Sequence, residues 1–190
     1  LSVSKLVTSR NIDELIENLK GTEYYAPLRP LHESGEATIF DYDLALDIYC
    51  FSNFWKREKR MLKGKEREMF VKDYGTKADL LNMQWIYRAK KYYHMLPPDI
   101  YALTIPVHYR IGAGEFKALV EAPTLEEFQK QAEATKYGKH IRFGQGGQPE
   151  KQAKAILRGL YRSQRRHNPY SLASLNTYLF MKEEEIDKLI

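Results

Sequence analysis

The stretch Thr76-Lys77-Ala78-Asp79-Leu80-Leu81-Asn82-Met83-Gln84-Trp85-Ile86-Tyr87-Arg88-Ala89-Lys90-Lys91-Tyr92-Tyr93 decides the fold class. It reads as a long helix in which Leu80, Leu81, Met83, Trp85, Ile86, Tyr87 and Tyr92 are the apolar positions. Thr76-Lys77-Ala78-Asp79 has the form of a capping box with Asp in place of Glu, which sets the expected start. Pro97 and Pro98 end it, because proline lacks an amide donor and clashes with the preceding turn. They also open a short helix expected to finish near Pro106.

The same period extends in both directions. From Phe40, Leu44, Ile48, Phe51, Trp55 and Leu62 fall on one helical face, and Tyr42, Leu46 and Tyr49 on a second, so this helix is expected to pack on two sides. Thr124-Leu125-Glu126-Glu127 caps a helix running to about Thr135. The loop Gly144-Gln145-Gly146-Gly147-Gln148-Pro149 precedes an amphipathic helix over Glu150 to His167, and Asn168-Pro169 separates that from a helix starting at Ser171. Val107 to Ile111 alternates weakly and is the single extended candidate, with no partner strand or hairpin turn. The expected class is all-α, repeated multi-helix units with about eight helices in a bundle.

Two capped segments repeat. Ile12-Asp13-Glu14-Leu15 matches Leu125-Glu126-Glu127-Phe128, and the same shift of 113 residues carries Thr22 onto Thr135 and Tyr24 onto Tyr137. A looser echo sets Leu81-Asn82 beside Leu175-Asn176. Two diverged copies of one multi-helix unit explain both, with 1–110 as one repeat and 111–190 as a second, incomplete one. Chance similarity between amphipathic helices is the alternative.

Composition narrows the function classes. Of 190 residues, 30 are basic and 25 acidic, 43% are apolar and 13% aromatic, enough to bury a core and to exclude low-complexity and broadly disordered readings. Cys50 stands alone, which excludes an internal disulfide framework and leaves a reducing compartment as the default. The longest run without Lys, Arg, Asp or Glu, His167 to Met181, contains Asn168, Pro169 and Asn176 and is too short and polar for a membrane-spanning helix. The chain opens at Leu1 without methionine and stops inside the helical pattern Glu183 to Ile190, so it reads as a piece of a longer protein.

Catalytic signals are weak. The glycines at 144–147 and at 112 and 114 fail the dinucleotide fingerprint, and there is no phosphate loop of P-loop type. His32, His94, His108, His140 and His167 are scattered, with no pair at ligand spacing. Cys50 is expected to be a small buried hydrophobe. No catalytic residue, cofactor or metal is therefore expected.

Cations carry more information. Lys151, Lys154, Arg158, Arg162 and Arg165 recur by three or four on one helical face, while Ala153, Ile156, Leu157 and Leu160 anchor the other faces. Lys56 to Arg67 adds seven basic residues against Glu58 and Glu66. Such a surface suits an anionic partner: acidic helices, lipid headgroups or nucleic-acid phosphates, when it is more than a solvated face. Arg88, inside an apolar helix, is a further candidate, better read as an ion-paired or snorkelled residue. The tyrosines sit in helical patterns where packing is their ordinary role, so nucleic-acid binding rests on charge alone.

Several long segments resemble a known family. These are Glu17-Asn18-Leu19-Lys20-Gly21-Thr22-Glu23-Tyr24-Tyr25, Asp41-Tyr42-Asp43-Leu44-Ala45-Leu46-Asp47, the run Asp79 to Tyr93 quoted above, Asn168-Pro169-Tyr170-Ser171, and Tyr178-Leu179-Phe180-Met181-Lys182-Glu183-Glu184-Glu185-Ile186. Together they resemble the C/d subunit family of V-type rotary ATPases and ATP synthases, bacterial type. The resemblance implies three helical units arranged as a funnel, of which this chain is the C-terminal two-thirds. It implies a non-catalytic, cytoplasmic, membrane-peripheral socket, with the central-stalk subunits and the membrane rotor ring as partners and no nucleotide bound directly. Rotation then passes between the ATP-handling head and the ion-carrying ring. The family brings no catalytic motif, so Lys151, Lys154, Arg158, Arg162 and Arg165 remain the candidate interface with acidic stalk helices. The competing reading is a basic helical nucleic-acid-binding module.

Overall fold

One uninterrupted helix of 30 residues organises the larger part of the chain. The computed structural model describes residues 2–186 and 189, and among these it has ten helices and no strand. In order they are α1 (Val3–Val7), α2 (Ile12–Asn18), α3 (Tyr25–Ser34), α4 (Ile39–Met61), α5 (Gly64–Tyr93), α6 (Pro97–Leu103), α7 (Ala113–Glu121), α8 (Leu125–Ala134), α9 (Pro149–His167) and α10 (Leu172–Ile186). The chain divides into two compact units, Leu1–Phe54 and Trp55–Ile190. The boundary at 110/111 expected between repeats falls inside the second unit, between α6 and α7.

In the first unit Ile16, Leu19 and Leu28 form a small core, packed by Leu6, Ile12, Tyr24, Tyr25, Tyr42, Ala45 and Leu46. The Tyr24 ring meets Tyr49 edge-on at 6.1 Å, and the Tyr49 hydroxyl donates to Glu23 over 3.2 Å. The two-sided packing expected of α4 is not found: none of its residues is buried. Cys50 is exposed, so the sequence-based expectation of a buried hydrophobe is also corrected.

In the second unit α5 packs against α6, α7, α8 and α9, and α9 against α10. Leu80, Met83, Ile86 and Tyr87 of α5 meet Leu119, Val120, Phe128, Ile141 and Leu157 in one core. Tyr87, Phe128 and Phe143 cluster with centroids 5.1 to 5.9 Å apart, and the Tyr87 hydroxyl accepts from the Gly144 amide over 3.2 Å. Such ring pairs add directional preference to area burial.

The start expected at Thr76 is wrong. α5 begins at Gly64, and Thr76 lies buried in its interior. Asp79 does not cap its own helix; it anchors the segment entering α7. Its carboxylate accepts from the amides of Tyr109 (3.1 Å), Arg110 (2.7 Å) and Ile111 (3.3 Å) and from the Tyr137 hydroxyl (3.0 Å). One turn on, Asn82 accepts from Ile105 N over 2.8 Å and donates to Ile105 O over 2.9 Å. These two side chains meet backbone groups that a sheet would otherwise pair, which is why Val107 to Ile111 is a loop and not a strand. Lys90 donates to the carbonyls of Val120 (2.6 Å) and Ala122 (2.8 Å), closing the end of α7. Gly75 leaves room for Tyr109, whose ring carbon would lie 2.5 Å from an added Cβ.

The two capped segments share local geometry at the shift of 113 residues. Asn11 accepts from Glu14 N at 2.8 Å, and Thr124 from Glu127 N at 3.1 Å. Thr22 donates to Leu19 O and Thr135 to Ala132 O, each over 2.7 Å. Residues 187, 188 and 190 of the helical pattern expected to reach Ile190 lie outside the described residues.

Candidate interaction surfaces

α9 turns Ala153 and Leu157 into the core, with Ile156 and Tyr161 packed against it, as the amphipathic pattern requires. Of the predicted stripe, Lys151, Lys154, Arg162 and Arg165 are exposed and Arg158 is half-buried. Arg158 is committed within the chain. Its guanidinium forms a forked pair with Glu184 of α10, Nε lying 3.1 Å from Oε2 and Nη2 hydrogen-bonded to Oε1. That hydrogen bond, with Glu184's charge, holds the guanidinium above its usual pKa. Lys154 also has an interaction partner. The cations therefore do not form a uniformly open face: the middle of the stripe docks α10, and Lys151, Arg162 and Arg165 flank that contact.

α10 itself buries Ala173, Thr177 and Phe180, the last against Tyr161 at 5.0 Å. Its other side exposes Leu172, Leu175, Tyr178 and Leu179. Arg88 is exposed on α5, a surface residue as expected.

The second basic surface is the tip of the α4–α5 hairpin. Lys63 is extended and Gly64 takes φ +52°, so the chain reverses between Met61 and Lys65. Trp55 stacks on Tyr74 and tilts on Phe70, each 5.7 Å away, tying the two helices together below the turn. Lys56, Arg57, Arg60, Lys63, Lys65 and Arg67 are exposed, while Lys59 lies 4.9 Å from the Trp55 ring centroid. Removing this segment's seven cations and two acids from the chain's 30 and 25 leaves 23 of each. The whole formal excess of +5 therefore equals the excess on the tip.

The remaining polar features serve structure. Among the described residues no three His, Cys, Asp or Glu side chains are grouped to hold a metal ion. The depression lined by Glu126, Gln129, Glu133, Lys139 and Arg142 is open and of mixed charge. Sequence reasoning missed the buried Asp73, Asp79 and Asn82 and the half-buried Lys90. The available signal was their position, Asp79 and Asn82 standing among Leu80, Met83 and Ile86 where a helix turns inward.

Taken together, these features define an all-helical protein with two exposed basic surfaces. The chain belongs to the ATP synthase (C/AC39) subunit family, whose model matches residues 1–190. It is similar to the C subunit of the A-type ATP synthase of Pyrococcus horikoshii, 30% identical over 201 residues covering 98% of this chain and 51% of that protein. The protein of the same name from Methanobrevibacter smithii is 24% identical over 195 residues, 97% of this chain and 50% of that one. That from Methanocaldococcus jannaschii is 26% identical over 137 residues, covering 71% and 34%. The chain thus spans about half the length of the first relatives, a smaller share than the resemblance implies. No solved structure matches it.

Proposed function

We propose that this chain is part of the socket of a rotary ATPase or ATP synthase, coupling the central stalk to the membrane rotor ring. The observation that carries this reading is the family match across residues 1–190. Its partners are then the stalk subunits and the ring protein, and its place is peripheral, on the cytoplasmic side of the membrane. No helix among the described residues is long and apolar enough to cross a membrane, which accords with such a place. Torque transmission asks for stiffness. A 30-residue helix packed by four others, with buried polar side chains fixing its loops, meets that demand. The units 1–110 and 111–190 are, in this reading, two copies of one ancestral helical unit. The face of Lys151, Lys154, Arg158, Arg162 and Arg165 grips acidic stalk helices, Arg158 indirectly by holding α10 in place.

A pull-down of the full-length protein from detergent-solubilised membranes, read by mass spectrometry, tests this. Stalk subunits and the ring protein are expected, with recovery reduced by charge reversal at Lys151, Arg162 and Arg165. Recovery unaffected by those changes moves the interface elsewhere. Nucleic acid without ATPase subunits overturns the reading in favour of a basic nucleic-acid-binding module.

A further inference from the structure

We propose that the tip of the α4–α5 hairpin, residues 56–67, is a docking point for an anionic lipid bilayer surface. The coupling role proposed above is not a premise. The first observation is that the tip's cations have no acidic partner among the described residues, Lys59 alone resting on a ring, that of Trp55. None of the seven makes an ion pair with Glu58, Glu66 or any other acid among the described residues, although the chain forms such pairs elsewhere, as at Lys20–Glu17 and Lys182–Glu185.

The second is their arrangement. At about 100° per residue, Lys56, Arg57, Lys59 and Arg60 span about 160° of the α4 circumference, roughly twice the arc of the α9 stripe, and Lys63, Lys65 and Arg67 continue across the turn. A partner helix or a peptide in a groove would meet one face, as on α9. Charges distributed around an apex suit an extended plane of anions approached end-on. The third is the apex itself, where Met61 is 59% exposed between the two basic clusters. An apolar side chain ringed by long cationic ones matches the headgroup boundary, with the methionine entering and the ammonium groups remaining at phosphate level.

A nucleic-acid partner fits less well. Near the tip, the exposed Phe54 is a single ring with a contact within the chain, short of a platform for successive bases, and Trp55, Phe70 and Tyr74 are packed on one another. The hairpin is also firm enough to act as a probe, because those rings brace α4 against α5 below the charged segment.

Co-sedimentation of the chain with vesicles tests the proposal. Binding is expected to phosphatidylcholine vesicles containing phosphatidylglycerol, not to pure phosphatidylcholine, and is expected to fall as salt is raised. Each tip cation removed should lower partitioning about fivefold, so the combined variant Arg57→Gln, Arg60→Gln, Lys63→Gln, Lys65→Gln should lose about a hundredfold or more. Those residues are exposed, and an unchanged thermal melt will show that the variant folds. Met61→Gln should weaken binding with the charge of the tip unchanged, which a purely electrostatic contact would not show. Lys151→Gln with Arg162→Gln and Arg165→Gln should leave binding intact. Equal binding to both vesicle types, loss with the α9 variant instead of the tip variant, or equal tip-dependent binding to duplex DNA would each overturn the proposal.

Discussion

Asp73 and Asp79 stand six residues apart on α5, and both are buried, at 4% and 1% exposure. Their surroundings are opposite. At Asp79 three backbone amides and a tyrosine hydroxyl converge on the carboxylate. Burial pushes that carboxyl up, and the donors from Arg110, Tyr109, Tyr137 and Ile111 pull it back. At Asp73 neither oxygen has a hydrogen-bond partner, and the Oε1 of nearby Gln164 has none either. Burial raises this carboxyl to about 6, against a weaker downward pull from Gln164, Asn176 and Lys72. The contrast separates two meanings of a buried acid: at Asp79 the fold supplies donors that favour the carboxylate as an acceptor, whereas at Asp73 ionisation opposes the fold.

The largest expected effect breaks the first member of the pair. Asp79→Ala strands the amides of Tyr109, Arg110 and Ile111 and should cost about 3–5 kcal/mol of unfolding free energy in denaturant titrations. A loss below about 1 kcal/mol would mean that the donors find other acceptors and that the anchor is redundant.

Asp73→Asn should act in the other direction. A carboxyl whose folded pKa is raised from 3.8 to about 6 contributes no penalty below pH 4. The penalty grows as pH climbs through 6 and is constant above it. Wild-type stability should therefore decline between about pH 4 and 6, by roughly 2–3 kcal/mol from this residue. The asparagine variant should be more stable at neutral pH and lose that slope. An unchanged slope in melts across this range would remove Asp73 as its source.

Gly75, between the two aspartates, offers a smaller perturbation. An alanine methyl would press on the Tyr109 ring, and Tyr109 donates its amide to Asp79. Gly75→Ala should cost about 1–2 kcal/mol. Because it disturbs the same anchor, its effect should shrink in an Asp79→Ala background, a non-additivity that a double-mutant cycle measures.

Helices with a clear amphipathic period were legible in the sequence: α4, α8 and α9 lie within a residue or two of their expected ends, whereas α6 stops at Leu103, three residues before Pro106. The 76–79 pattern misled because a capping box and a buried anchor use the same residue types at the same spacing. Only the chain near 109–111, more than two dozen residues away, distinguishes them. α4 carries apolar residues on two faces, a pattern that predicts packing on both, whereas none of them is buried. On α9, the register of the stripe was readable from the 3.6 period. That Arg158 is engaged was not, since its partner Glu184 lies on another helix whose rotation no local pattern fixes.

That pair supplies the smallest expected effect, and it carries the comparison of buried charges to the surface. Arg158 and Glu184 are bidentate, yet the arginine remains open to water, where screening and side-chain entropy offset most of the attraction. Glu184→Gln should leave the unfolding midpoint nearly unchanged, because Ala173, Thr177 and Phe180 keep α10 in the core. Amide exchange in the last turns of α10 should accelerate, since the pair tethers that end of the helix to α9. A large fall in midpoint would place Glu184 in the same class as Asp79, an acceptor the fold depends on. Exchange confined to the helix end would make it a local tether, leaving Lys151, Arg162 and Arg165 free for a partner.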